Sequence, residues 1–213
     1  MAHVDGSARP KTTLIIACGA LGRELVAVVR ANRLDHLKIA CLPAILHNRP
    51  EKIAPAVRDK IRANRGRYDR ILCLYGDCGT GGELDRVLAQ EGVERIAGAH
   101  CYEFYAGARV FDALVDEEVG TFFLTDYLTR HFDRLVMEGL GIERHPELLE
   151  MYFGNYKRIV YLAQVEDEGL RKQAEAAAKR LGLAFEMRLT GLGGLTDFLL
   201  PELGKAPVER DAA

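Results

Sequence analysis

The sequence predicts an α/β protein with a Rossmann-like parallel sheet, and three observations support that fold class. Short apolar runs, which are typical of strands buried on both faces, alternate with segments of helical pattern. This strand–helix–strand pattern occurs three times along the chain. Glycine-rich turns follow several of the strands, where a parallel strand would lead into a helix. Three lobes with pseudo-threefold symmetry around a cleft are an alternative arrangement that the periodicity leaves open.

Three βαβ-type units account for most of the predicted elements. They lie at about residues 11–65, 69–107 and 157–200. Pro50 suits a first helical turn and marks the start of one of the helices. In chain order, strands are predicted at residues 11–20, 37–46, 69–75, 93–100, 157–164 and 183–189, and helices at 23–32, 50–63, 82–91 and 166–181.

A mostly helical insertion is predicted between the second and third units, at about residues 120–155. Its apolar residues fall at helical spacing, so we expect it to cover the core. Residues 11–205 are expected to form a single α/β domain, with flexible ends at 1–10 and 206–213. The apolar residues at helical spacing are Phe123, Leu124, Leu128, Phe132, Leu135 and Val136.

Composition excludes several classes of function. Of the 213 residues, 48% are hydrophobic and 28% are charged, which is typical of a globular domain with a sizeable core. The net charge of -2, with basic and acidic residues interspersed, provides no basic surface for nucleic acid. No apolar run approaches the roughly 20 residues that span a bilayer, and the first residues lack the apolar centre of a signal peptide. The sequence therefore predicts a cytoplasmic protein without a membrane or nucleic-acid partner.

Cysteines stand at the ends of several predicted strands. Cys18, Cys78 and Cys101 follow three different strands, and ligands of α/β sheets bind at the carboxyl ends of strands. In the reducing cytoplasm such thiols are read as packing groups, metal ligands or reactive groups. Three protein ligands with one open position form a catalytic zinc site, so we predict that these three cysteines hold zinc. Cys41 and Cys73 lie inside apolar runs and are predicted to be packing residues.

The sequence GDCGTGG surrounds Cys78 with residues that suit a binding loop. Glycines let the backbone approach a ligand and point amide groups at an anion where a helix begins. The helix dipole would also favour the Cys78 thiolate. No Lys-Ser or Lys-Thr pair follows, so this is not a Walker loop. The predicted cofactor-binding residues are Gly76, Asp77, Gly79, Thr80, Gly81 and Gly82.

Three further residues are predicted to act in acid–base chemistry. Side chains alternate along an extended chain, so His100 and Cys101 should point to opposite sides of it. With Cys101 as the ligand, His100 is a hydrogen-bonding residue or general base, and Glu103 is an acid or base. Asp126 is predicted to face the cleft, while the alternative is that Thr125 and Asp126 cap a helix.

The motifs ACGAL, LHNRP, YGDCGTGG, GAHCYEFYAG, TFFLTDYLTRHFD, YFGNYKRIVYLAQ and TGLGGL together resemble the bacterial and archaeal domain-of-unknown-function family number 1638. The resemblance covers about residues 13–199. Members tend to be encoded beside corrinoid-dependent methyltransferases and corrinoid proteins acting on methylamines or betaines, which implies one-carbon metabolism. The three-unit plan is more remotely similar to quinolinate synthase, whose three cysteines hold an iron–sulfur cluster. The third unit here has no cysteine and departs from that pattern.

The sequence therefore predicts a metal-dependent transferase that acts on a small-molecule substrate. Zinc stabilises a thiolate near neutral pH, and a thiolate can accept a methyl group. The resemblance implies a corrinoid protein or a methyltransferase as partner, with any corrinoid supplied by that partner. The alternatives are a non-enzymatic protein that binds a cobamide or a metal, an iron–sulfur enzyme, and a metal-free enzyme in which Cys78 acts with His100.

Overall fold

Two parallel sheets with helices packed around them form the fold. We describe it from a computed structural model that covers residues 12–96, 98 and 100–199. The predicted α/β class and the parallel strands are confirmed. The division into two sheets differs from both predicted arrangements, the single sheet and the three lobes. The predicted flexible ends, residues 1–10 and 206–213, lie outside the described residues.

The first sheet joins the first two predicted units. Its strands are β1 (Thr13–Cys18), β2 (Leu37–Leu42), β3 (Arg70–Leu74) and β4 (Glu94–Arg95), and its helices are α1 (Gly22–Ala31), α2 (Ile53–Asn64) and α3 (Glu83–Glu91). The strand order is β2-β1-β3-β4. Cys18 pairs with Leu42, and Ala17 pairs with Leu74. The carboxyl ends of β1, β2 and β3 therefore meet at one edge of the sheet.

The next part of the described chain differs from the predicted fourth strand. Only the two residues of β4 pair with β3, and the other described residues of the predicted strand, 93, 96, 98 and 100, are not part of a strand. The chain then forms two helices, α4 (Cys101–Ala106) and α5 (Ala108–Glu117), which are joined at Gly107 with φ 76°. Glycine adopts this backbone region at little cost. Cys101 is therefore the first residue of a helix.

The second sheet contains a strand that the sequence analysis assigned to the helical insertion. Its strands are β5 (Thr121–Thr125), β6 (Arg158–Ala163) and β7 (Ala184–Leu189), in the order β5-β6-β7, and α8 (Glu168–Leu181) connects the last two. The helical interpretation of residues 121–125 was wrong. Phe123 and Leu124 belong to the strand, whereas Leu128 lies in the helix that follows, so the apparent helical spacing combined two elements.

The rest of the insertion is mostly helical, as predicted. It contains α6 (Asp126–Arg130), a π-helix (Asp133–Met137) and α7 (Leu148–Phe153). The last described helix is α9 (Gly193–Leu199). It packs against α4, which follows the first sheet in the chain. In the described part of the chain, no helix combines the length and the apolar character needed to cross a membrane.

Candidate functional site

The structure brings Cys18, Cys78 and Cys101 into one buried neighbourhood. Cys18 ends β1, Cys78 lies in the loop after β3, and Cys101 begins α4. Their exposed fractions are 1%, 7% and 8%, and all three belong to the same apolar core. Cys73 is buried inside β3, as predicted, but Cys41 is exposed. The packing role predicted for Cys41 is therefore wrong, because its position in β2 faces outward.

Two histidines complete this thiol cluster, which we define as Cys18, Cys78, Cys101, His47 and His100. Cys78 has Cys101 and His100 as hydrogen-bonding partners, and His47 also interacts with it. The Sγ atom of Cys18 lies 3.8 Å from Nδ1 of His47. His100 precedes the first helical residue, so the alternation expected of a strand does not apply. That alternation therefore does not decide which of the two side chains faces the site, and both interact with Cys78.

The glycine-rich loop holds Cys78 in an unusual backbone conformation. Cys78 has φ 50°, a region that residues other than glycine rarely adopt. Asp77 fixes the loop by accepting hydrogen bonds from the Thr80 hydroxyl at 2.6 Å and from the amides of Gly81 and Gly82 at 3.1 and 2.8 Å. Backbone strain of this kind is maintained only where the surroundings fix it.

These hydrogen bonds bear on the predicted cofactor-binding loop. The Gly81 and Gly82 amides, which we expected to meet an anion, already donate to Asp77. The same contacts hold the pKa of Asp77 below its ordinary value, although burial acts against them. The Asp77 carboxylate therefore already accepts from two of the amides that an external anion would need. Binding of a cofactor by Gly76, Asp77, Gly79, Thr80, Gly81 and Gly82 stays a prediction, and the contacts favour a role in positioning Cys78.

The electrostatics of the cluster favour a thiolate beside an imidazolium. The hydrogen bond with Cys101 lowers the pKa of Cys78 well below that of an ordinary thiol; burial opposes this shift, and His100 and His47 reinforce it. The pKa of Cys101 is raised by the same hydrogen bond and by burial. Burial lowers the pKa of His47, but Cys18 and Cys78 outweigh it and raise that pKa to about 11. The surroundings of Cys78 thus favour its thiolate, which is the nucleophilic form of a cysteine.

Two buried polar atoms next to the thiols have no hydrogen-bond partner among the described residues. They are Nε2 of His47 and the hydroxyl oxygen of Tyr75. Nδ1 of His47 donates to the Ala44 carbonyl at 3.0 Å, which leaves Nε2 as the available ring nitrogen. The two rings stack with centroids 6.3 Å apart. Buried polar atoms are normally paired, so both atoms are available to a ligand at the cluster, although Cys18 interacts with both residues.

The donor set fits a soft metal in its chemistry but is not closed around one. Thiolates and imidazole are the ligands that zinc prefers, and His47 has an unpartnered ring nitrogen. Within the described ranges, however, no group of three or more His, Cys, Asp or Glu side chains is arranged to hold a metal ion. Binding of zinc by Cys18, Cys78 and Cys101 therefore stays a prediction.

Asp126 lies in a separate buried network. Its Oδ1 accepts hydrogen bonds from the Tyr161 hydroxyl at 2.7 Å and from the backbone amide of Gln164 at 3.0 Å. Its Oδ2 lies 3.7 Å from the guanidinium group of Arg130. The Thr125 hydroxyl accepts from the Leu128 amide, so Thr125 caps α6, as the alternative interpretation predicted. These contacts join the second sheet to α6 and favour a structural role. The predicted catalytic role of Asp126 stays a prediction.

Glu103 and Glu24 are the remaining acidic residues of interest. Glu103 is half-buried in α4 beside Gly98, where a Cβ atom would lie 2.9 Å from its Oε2. Its predicted acid–base role is untested. Glu24, in α1, was missed by the sequence analysis although it is 7% exposed and its Oε2 is buried without a hydrogen-bond partner. A charged residue in a helix normally indicates an exposed face, so the sequence contained no signal for its burial.

Replacing Glu24 with glutamine is expected to stabilise the protein increasingly as the pH rises from 4 to 8. Burial, opposed by its own backbone hydrogen bond and reinforced by Asp126, raises the pKa of Glu24 above its ordinary value of 4.5. The stability that this carboxyl contributes is complete below pH 4.5 and is lost as the pH passes its folded-state pKa. The Glu24→Gln variant does not lose this stability, because glutamine does not ionise between pH 4 and 8. Melting temperatures measured across this range test the prediction, with exposed Glu51→Gln as control; equal pH profiles for Glu24→Gln and wild type would contradict it.

A cavity of about 160 Å³ opens beside the thiol cluster. His47 and Cys101 are among its lining residues. The other lining residues come from both halves of the molecule, which are the segments around the first sheet and the segments around the second sheet. They include Tyr102 from α4 and Leu128 from α6. The cavity therefore lies where the two halves meet and gives a small molecule access to the cluster.

Comparison with known proteins adds a family but no activity. A family model described as "Protein of unknown function (DUF1638)" matches residues 41–199. The matched segment includes His47, Cys78 and Cys101 and begins after Cys18. No curated protein and no solved structure shows a significant match to the chain.

Proposed function

The chain belongs to the DUF1638 family of proteins of unknown function, and on that premise we propose that it is a metal-dependent transferase of one-carbon groups. Its centre is the thiol cluster, with zinc held by Cys18, Cys78 and Cys101. The transferred group is methyl, in a reaction linked to a corrinoid methyltransferase system. A corrinoid protein or methyltransferase is the proposed partner, and the cytoplasm is the proposed location.

One observation carries this proposal. Three thiols from three separate segments converge on one buried site, together with a histidine whose Nε2 atom has no hydrogen-bond partner in the described part of the chain. Buried thiols used only for packing need no such convergence and leave no imidazole nitrogen unpaired. A cluster of soft donors beside a cavity is the arrangement expected of a thiolate reaction centre.

The roles of the side chains follow from their positions. Cys78 is the proposed nucleophile because its neighbours favour the thiolate. Its sulfur attacks the methyl carbon, and the donor leaves with the electron pair of the broken bond. When bound, zinc would keep the thiols deprotonated near neutral pH. His100 is the proposed proton carrier for the leaving group, because it is exposed and contacts Cys78. The apolar cavity walls limit access of water.

Metal analysis of the anaerobically purified protein tests the proposal. We expect about one zinc per chain, and we expect the cluster thiols to resist alkylation until a chelator removes the metal. An absorption spectrum in the same experiment identifies the iron–sulfur alternative, because a cluster absorbs visible light and zinc does not. A metal-free protein whose activity is unaffected by chelator would contradict the zinc centre.

A second candidate is a metal-free enzyme in which Cys78 acts as a nucleophile. Two observations favour it: the lowered pKa of Cys78 in contact with Cys101 and His100, and the absence of a closed metal-ligand group within the described residues. Rapid alkylation of Cys78 without added chelator would support it over the zinc centre. Tight binding of a cobamide without turnover would instead support the non-enzymatic alternative.

A further inference from the structure

The cavity beside the thiol cluster has a mostly apolar wall. Its apolar and aromatic side chains come from α4, from β5 and from the helical segment that follows β5. Among the described residues that line it, the titratable side chains are those of His47, Cys101, Tyr102 and Tyr127, and no Asp, Glu, Lys or Arg takes part. Leu128, Leu135, Val136, Leu140, Tyr102 and Phe122 form most of this wall.

Two polar groups at the wall are occupied within the protein, whereas Nε2 of His47 has no hydrogen-bond partner among the described residues. The Asn48 amide donates to the Leu135 carbonyl at 2.9 Å, and the Thr125 hydroxyl accepts from the Leu128 amide at 3.3 Å. These bonds leave few groups that would compensate a charged ligand for its lost hydration. Moving an uncompensated charge into such a site is strongly unfavourable.

A second groove in the molecule shows the contrast. It has a volume of about 430 Å³ and lies between α6 and α8, where Arg130, Arg134 and Arg180 line it. No residue of the thiol cluster lines this groove. A charged ligand bound in this larger groove would therefore not contact the thiol cluster.

We infer that the molecule delivered to the thiol cluster is small, uncharged and largely apolar, and that it enters through the 160 Å³ cavity between the two halves. The inference rests on the proposed function, because it names the class of substrate for that site. The cavity volume corresponds to about five water-sized groups, which suits a molecule of roughly five to eight non-hydrogen atoms.

Three isosteric probes test the charge preference directly. They are 3,3-dimethylbutan-1-ol, its cationic counterpart choline and its anionic counterpart 3,3-dimethylbutanoate. Saturation-transfer NMR on the full-length protein is expected to show binding of the alcohol with a Kd on the order of 1 mM. Both ions are expected to bind at least ~10-fold more weakly, because no Asp, Glu, Lys or Arg among the described residues lines the wall and the ring of His47 already contacts the thiol of Cys18.

Variants locate the binding of the alcohol. Leu135→Trp fills the cavity and is expected to weaken binding at least ~10-fold, and Val136→Phe provides a smaller change if that variant does not fold. Met151→Trp is the matched control because Met151 is 65% exposed and does not line the cavity. Undetectable binding of the alcohol, equal binding of an ion, or equal binding by Leu135→Trp and Met151→Trp would each overturn the inference.

The zinc content of the same preparations separates this inference from the proposed function. Zinc without alcohol binding would overturn only the inferred substrate class. Alcohol binding without zinc would leave the uncharged cavity in place and would overturn the metal centre. Each proposal therefore has its own readout.

Discussion

Replacing Cys78 with serine is expected to lower the affinity of the protein for Zn²⁺ by at least ~100-fold and to abolish methyl transfer. A serine hydroxyl remains protonated at neutral pH and is a poor zinc ligand, so the site loses one of its three proposed ligands. It also loses the thiolate that Cys101 and the histidines stabilise. Competition with a chromophoric chelator measures the affinity, and transfer of a labelled methyl group measures the activity.

Cys41→Ser is the matched control for this experiment. It makes the same chemical change at an exposed thiol outside the cluster, so zinc affinity and transfer should remain within ~2-fold of the wild type. Equal zinc affinities for Cys78→Ser and Cys41→Ser would show that the metal binds elsewhere or not at all. Loss of transfer with no zinc in either protein would instead favour the metal-free nucleophile.

Replacing Asp126 with alanine is expected to lower the free energy of unfolding by about 3 kcal/mol. Asp126 is 1% exposed, and its removal leaves the Tyr161 hydroxyl and the Gln164 amide without their buried acceptor. Urea denaturation measures the change. Asp133→Ala is the control, because it removes a carboxylate whose side chain is 69% exposed in an ion pair with Arg180, and it should cost less than about 1 kcal/mol.

The outcome for Asp126→Ala also separates the two interpretations of this residue. A large loss of stability with zinc binding preserved would support its role in joining β6 to α6. Near-normal stability combined with loss of turnover would contradict that role and would favour the acid–base function predicted from the sequence. The contacts with Tyr161 and Gln164 are the reason for expecting the first result.

Much of the fold was predictable because its strands are unambiguous in sequence. The run TLIIAC of β1 has no polar interruption except its first threonine, and all six residues are buried. Residues 121–132 were ambiguous because a strand and a helix follow each other without a glycine or proline between them. Local periodicity does not distinguish a continuous helix from this junction, whereas pairing of β5 with β6 does.

The site was predictable only where strand ends determine it. Cys18 ends β1 and Cys78 follows the neighbouring parallel strand β3, so their approach follows from topology. The joint approach of Cys101 and His100 depends on a helix that replaces the predicted strand. The sequence contained no signal for the buried, unpaired polar atoms of Tyr75 and Glu24, because their burial depends on contacts between distant segments of the chain.

The packing of α9 against α4 has a consequence for biosynthesis. The helix that carries Cys101 is supported by residues 193–199, and Leu195 and Leu199 are part of the same core as the three cysteines. A Cβ at Gly194 would lie 3.2 Å from the Phe104 carbonyl, so the two helices approach closely. A nascent chain that has not yet released α9 from the ribosome therefore lacks this support. We therefore expect the thiol cluster to be complete only in chains that have been synthesised through α9.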